Sequence, residues 1–271
     1  MTNLRTKLQD LAALPADRPM GMPGGFYTSQ DHFDHEARTV LRNGWHCLGR
    51  LDEIPVPGDF FTLQLLNEPL LVVRSDDDSV RVFANVCRHR GMPLAEGRGN
   101  TKRFVCSYHA WAYGRDGALL RAPLMENAGF DAKACRLPEH AVQLWNGFIY
   151  VNLRRDAAPF EHPELDAMLA PYETEDFRLV HVAEEDWQTN WKCLVENFME
   201  GYHLPVAHKA TVGAWFPVEK TVFPDEVYDA FTYQTFQKTG NATYGQAHPD
   251  NTRLKGDERR TTFLLAIYPS L

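Results

Sequence analysis

No run of apolar residues approaches the ~20 that a membrane-crossing helix needs, although hydrophobic residues make up 44% of the 271. Positive charge is also scarce. Twenty-eight Lys and Arg face 36 Asp and Glu, for a net charge of -8. Neither nucleic acid nor a membrane is therefore expected as a partner. Cysteine is sparse, with five residues at wide spacing. The number is odd, and Met1-Thr2-Asn3-Leu4-Arg5-Thr6 opens no apolar signal-peptide core. A disulfide scaffold is not expected on that basis, and a reducing, cytoplasmic setting is. Cys47, Cys135 and Cys193 lack ligand-type neighbours in sequence and read as structural thiols. Internal repeats and low-complexity segments are absent.

The length suits two domains at about 150 residues each. Residues 17–29 are rich in Pro and Gly and read as an irregular arm, and residues 31–43 read as a helix. From Gly44 to about Leu153 the texture is β. Phe60-Phe61-Thr62-Leu63 and Leu70-Leu71-Val72-Val73 are short apolar runs. The stretch from Val80 to Val86 alternates and is expected to carry strand up to Cys87. Ser75-Asp76-Asp77-Asp78-Ser79 and Asp116-Gly117 mark turns. Pro159 and Pro163 then mark a boundary. Trp187, Trp191, Leu194, Val195, Phe198 and Tyr202 follow at helical spacing, which predicts one amphipathic helix. From Val218 onward the pattern returns to strands. The expected division is an arm over 1–43, a β-domain over 44–155 and a second domain over 156–271.

Two pieces of the β-region carry chemistry. Cys87-Arg88-His89 and Cys106-Ser107-Tyr108-His109 each offer one thiol and one imidazole, at the ends of predicted strands. This is the donor set of a Rieske centre, a two-iron, two-sulfide cluster with two Cys on one iron and two His on the other. The rival is zinc. Common zinc modules place both Cys in one knuckle and both His in another, whereas here each knuckle is mixed. Gly91, Pro93 and Gly114 suit tight loops that bring backbone N–H groups toward cluster sulfurs.

A second constellation runs Glu196-Asn197-Phe198-Met199-Glu200-Gly201-Tyr202-His203-Leu204-Pro205-Val206-Ala207-His208. Residues five apart on a regular helix diverge by about 140°. Pro205 is expected to end the helix at Leu204, so that His208 returns toward His203 and both reach one metal. Two His are two thirds of the facial triad of non-haem iron(II) oxygenases, which leaves positions open for O₂ and substrate. Glu200 is expected on the helix face of His203, as a carboxylate that hydrogen-bonds it. Asn197, one turn earlier, is a further candidate for the same site. Surface solvation is the competing reading of both.

These residues resemble the catalytic (alpha) subunit of Rieske non-haem iron oxygenases. The resemblance rests on Cys87-Arg88-His89-Arg90-Gly91, on Cys106-Ser107-Tyr108-His109-Ala110-Trp111, on Asn190-Trp191-Lys192 and on the segment Glu196 to His208. It implies an α+β chain: an N-terminal all-β Rieske domain and a C-terminal helix-grip-like domain with a curved antiparallel sheet. It further implies a [2Fe-2S] cluster, a mononuclear Fe(II) at His203 and His208, and a homotrimer. In such assemblies electrons cross to a neighbour's iron through a carboxylate at the position of Glu200. They originate from NAD(P)H through a separate flavin or iron–sulfur reductase, and O₂ and a small organic molecule are the co-substrates.

Many ring-hydroxylating members carry Asp at the bridging position. Glu200 resembles instead the branch that oxidises quaternary or methylated amines. The family's third iron ligand is an Asp far downstream of the His pair. Asp225, Asp229, Asp250 and Asp257 do not sit in that pattern. The third ligand is therefore expected beyond Leu271, with the C-terminal domain incomplete. Aromatic-ring dihydroxylation or aromatic O-demethylation is the alternative within the class. A non-catalytic Rieske electron carrier is the alternative outside it, and leaves the His203–His208 pair without a role.

Overall fold

The structure is a computed structural model that describes residues 2–270, apart from 16, 19, 126–128, 217 and 238–245. The chain divides into two compact units. One comprises Arg42–His162 with Thr174–Val182, the other Met1–Leu41, Pro163–Glu173 and Ala183–Leu271. No helix among the described residues is long and apolar enough to cross a membrane.

The first unit is built of antiparallel strands: β1 (Trp45–Arg50), β2 (Asp59–Leu65), β3 (Glu68–Arg74), β4 (Val80–Ala84), β5 (Arg98–Asn100), β6 (Phe104–Val105), β7 (Ala112–Tyr113), β8 (Leu119–Arg121), β9 (Ala141–Trp145) and β10 (Phe148–Asn152). They form sheets in the orders β4-β3-β2-β5, β1-β10-β9 and β6-β7-β8. The run Leu70-Leu71-Val72-Val73 is wholly buried because β3 is covered on both faces. Alternation sends Leu71 and Val73 into a core with Phe83, Trp111 and Tyr113, and Leu70 and Val72 into another with Phe61, Val82 and Ile149. Leu66-Asn67 and Asn146-Gly147 turn β2 into β3 and β9 into β10 with positive φ throughout, the geometry that tight hairpins require.

β4 stops at Ala84 rather than running on to Cys87. The cause is Asn85, which is buried. Its side-chain oxygen accepts the N–H groups of Leu94 and Ala95, and its amide donates to the Ala95 carbonyl. One side chain thus closes the loop that carries Cys87 and His89. Elsewhere, Arg50 donates to the Phe177 carbonyl at 2.7 Å and Asp52 accepts from the Leu179 N–H at 2.7 Å. These bonds tie residues 174–182 to this unit.

The second unit holds α1 (Thr2–Ala12), α2 (Gly25–Thr28), α3 (Gln30–Thr39), α4 (Pro163–Leu169), α5 (Trp191–Phe198), α6 (Leu204–Ala207), β11 (Thr221–Val222), β12 (Phe231–Gln237) and β13 (Thr261–Ile267). The strands pair antiparallel in the order β11-β12-β13. Helix and sheet in this unit, beside the all-strand sheets of the first, make the chain α+β.

The single helix expected from Trp187 to Tyr202 is only eight residues long. Asn190 starts it by accepting the Lys192 N–H, so Trp187 lies outside. It ends at Phe198, and the Glu200 carboxylate takes the N–H groups of Tyr202 and His203 in place of helical carbonyls. Pro205 does not terminate a helix either. It occupies the first turn of α6, where its missing N–H costs nothing, and Leu204 is helical.

Residues 25–39 grip α5. Lys192 Nζ lies 2.7 Å from the Glu36 carboxylate, both side chains being about nine-tenths buried. The other Glu36 oxygen faces His32 Nε2 at 3.0 Å. Tyr27 donates to the Glu196 carboxylate at 2.8 Å. Partial burial and that carboxylate push the Tyr27 hydroxyl up to about 12. Glu36→Ala leaves Lys192 buried without its counter-charge. It is expected to cost about 3–5 kcal/mol, measured by denaturant unfolding of the second unit.

Candidate metal centres

The two mixed Cys/His pieces fold into matching loops. Cys87 N–H donates to the Met92 carbonyl, and Gly91 N–H to the Cys87 carbonyl. Cys106 N–H donates to the Trp111 carbonyl, and Ala110 N–H to the Cys106 carbonyl. The fifth residue of each loop has positive φ, at 73° for Gly91 and 54° for Ala110. Only the first uses the residue that tolerates this freely. Each loop therefore holds its cysteine in the same backbone setting, with the histidine two residues on in the first loop and three residues on in the second.

The thiols point inward. Cys87 and Cys106 are 2% and 3% exposed and pack in the core with Leu71 and Trp111. The imidazoles lie outward, His89 half-buried and His109 exposed. Their ring centroids are 4.5 Å apart. His89 stacks on Trp111 at 5.0 Å and 7°, and Trp111 stacks on Phe130 at 5.5 Å. Burial, then the neighbouring His109 and Arg90, push the His89 imidazolium down. This keeps the ring neutral, the state in which it can ligate.

Tyr113 was not singled out by its sequence position, yet it completes the site. Its hydroxyl lies 3.4 Å from Cys87 Sγ and accepts the Arg88 N–H at 3.0 Å. Burial, then Cys87, push the pKa of its hydroxyl up, so it keeps its proton and remains a donor toward a thiolate. Among the described residues no three His, Cys, Asp or Glu side chains close on one point. Two buried thiols behind two adjacent imidazoles fit a group with two unlike irons. Tyr113→Phe removes the hydroxyl beside Cys87 Sγ. It is expected to lower the cluster's reduction potential by on the order of tens of millivolts, read by protein-film voltammetry.

In the second unit, His203 precedes α6 and His208 follows it. One short helical segment brings the rings together, with centroids 5.3 Å apart at 64°. Glu200 reaches His203 from the turn after α5 rather than along a helix face, and pairs with Nδ1. Burial raises the Glu200 carboxyl, but the His203 ring and the Tyr202 N–H outweigh it, and the net direction is down. An ionised carboxylate only accepts, so His203 Nδ1 carries the proton and Nε2 keeps its lone pair for a metal. His208 Nδ1 has Thr211 Oγ1 at 3.4 Å. Asn197 is exposed on α5 and makes no hydrogen bond to Glu200, His203 or His208. The donors brought together are therefore two imidazoles, with Glu200 behind one of them. The third ligand that the resemblance assigns beyond Leu271 lies outside the described residues.

Residues 44–142 match the family described as Rieske [2Fe-2S] domain, and residues 165–269 match the ring hydroxylating alpha subunit (catalytic domain). The carnitine monooxygenase oxygenase subunit of Escherichia coli K12 is 32% identical over 243 residues, covering 88% of this chain and 62% of that protein. The glycine betaine monooxygenase oxygenase subunit of Chromohalobacter salexigens is 34% identical over 206 residues, covering 75% of this chain and 46% of that protein. The chain thus spans about half to three fifths of the length of these relatives. A crystal structure of the quaternary ammonium Rieske monooxygenase CntA with L-carnitine superposes with a TM-score of 0.74 at 28% identity, over 82% of this chain and 66% of that one. With both matches in one polypeptide, and with mixed Cys/His loops in the first and a His pair in the second, the chain belongs to the family of Rieske oxygenase alpha subunits.

Proposed function

We propose that this protein is the oxygenase component of an O₂-dependent system that oxidises a quaternary or methylated amine. The observation that carries the reading is the presence in one chain of the paired Cys/His loops and the Glu200–His203–His208 arrangement. Cys87 and Cys106 would hold one cluster iron and His89 and His109 the other; His203 and His208 would hold the mononuclear iron. When bound, the cluster supplies single electrons and the mononuclear iron activates O₂.

This chain's own residues have definable tasks. Tyr113 stabilises negative charge on Cys87 Sγ. Glu200 accepts the Nδ1 proton of His203 and fixes the ring, which leaves the Nε2 lone pair for the iron it would hold. The resemblance also makes Glu200 the bridge by which electrons reach the His203 side. The supporting boundaries are 44–155 for the Rieske domain and 156–271 for part of the catalytic domain, with the 1–43 arm docked on α5 through Glu36 and Tyr27. A separate flavin or iron–sulfur reductase drawing on NAD(P)H, a homotrimeric assembly and a cytoplasmic location complete the proposal.

The amine preference rests on Glu200 and on relatives named for carnitine and glycine betaine. It is tested with a panel of quaternary amines and aromatic acids, scored by substrate-dependent O₂ uptake with a reductase. Uptake with one or more quaternary amines, accompanied by carbonyl product, is expected. Uptake with aromatic substrates alone would replace the amine assignment by ring hydroxylation or O-demethylation.

A further inference from the structure

Gln234 is 0% exposed, in the central strand of the β11-β12-β13 sheet, at a position where an apolar side chain is the norm. Its Nε2 donates to the Phe198 carbonyl at 3.1 Å, while Oε1 accepts no hydrogen bond from any described residue. A buried amide satisfied on one side only is unfavourable. The donor is therefore the half of the group that does something here. Phe198 is the last residue of α5, and its carbonyl is one of those that a helix C-terminus leaves without an intrahelical partner.

Two residues along β12, on the same face, Phe236 is also 0% exposed. Its ring lies against Gly201: a Cβ at Gly201 would come within 3.1 Å of it. Phe216 supports that ring edge-on at 5.1 Å. One strand face thus touches both ends of the short link from Phe198 to Gly201, and Glu200 lies between them.

We propose that Gln234 is a positioning residue for the Glu200–His203 pair. Its amide fixes the Phe198 carbonyl while Phe236 sets the floor beneath Gly201. The Glu200 carboxylate is thereby aimed at His203 Nδ1 and at the Tyr202 and His203 N–H groups, which it accepts. The metal part of this role rests on reading His203 and His208 as ligands; the holding of the turn does not.

The test uses Gln234→Met, which removes the amide at similar length, and Gln234→Leu, which removes both the donor and the acceptor in a shorter apolar side chain. Both are made in the full-length protein. Two measurements are taken without turnover: Co(II) affinity and d–d absorption after removal of the mononuclear metal, and hydrogen exchange of individual backbone amides. Both variants should bind Co(II) about 10–100-fold more weakly, the range for losing an outer-shell partner, with an altered d–d band. The Tyr202 and His203 amides should exchange faster, while the β12–β13 ladder and the cluster's visible spectrum stay as in wild type. Co(II) affinity within twofold of wild type would overturn the proposal. So would faster exchange spread evenly through the sheet, which marks a merely structural role. A His203→Ala variant that binds Co(II) as well as wild type overturns the ligand reading instead, and the exchange result then decides the positioning role by itself.

Discussion

His203→Ala should abolish substrate-dependent O₂ uptake and leave the visible spectrum of the cluster unchanged. The two donor sets lie in different compact units, with Cys87, Cys106, His89 and His109 in one and His203 and His208 in the other. The substitution removes one of two imidazoles whose centroids stand 5.3 Å apart. It also leaves Glu200 without the ring it orients. A single remaining imidazole is a poor hold for iron(II), so iron content should fall from about three to about two per chain. Loss of colour together with activity would contradict the separation of the two sites. Retained turnover would remove His203 from the metal centre.

Cys106→Ala should have the opposite signature: a colourless protein with no reductase-driven turnover, still holding about one iron per chain. Cys106 is 3% exposed, and both its backbone N–H and its carbonyl are used within its own loop. Removing the thiol leaves the loop's backbone bonds in place but takes away one of two thiolates on the cluster. Cluster binding also contributes to folding where the ligands are otherwise loops. The first unit should therefore melt at lower temperature, while Co(II) binding at His203 and His208 is preserved. A coloured variant with an intact Rieske-type EPR signal would show that Cys106 is not a ligand.

The features legible in the sequence are those set by neighbours in the chain. Cys87 and His89, and Cys106 and His109, lie within one loop each, so spacing alone offers them as candidate donors. The apolar run at 70–73 and the Asp-rich turn after it likewise follow from local pattern. The end of α5 does not. Periodicity through Trp187 and Tyr202 suggested a longer helix, but Asn190 caps one end and Gln234, far along the chain, takes the Phe198 carbonyl at the other. The same holds for Asn85, whose bonds to Leu94 and Ala95 end β4 early. Tyr113 became part of the cluster site only once β7 placed its hydroxyl beside Cys87. Glu36 and Lys192 pair across most of the chain, which no spacing rule reaches. Glu200 is an instructive middle case. Its partner His203 was evident from proximity, yet the contact is made by a turn rather than a helix face.

The central claim is that one chain carries both an electron-supplying cluster and a separate iron that uses the electrons. Quantitative iron analysis with Mössbauer spectroscopy on the anaerobically reconstituted full-length protein tests it most directly. About three irons per chain are expected, two in a Rieske-type cluster and one as mononuclear high-spin iron(II). About two irons per chain, all in the cluster, would make the protein an electron carrier and contradict the account.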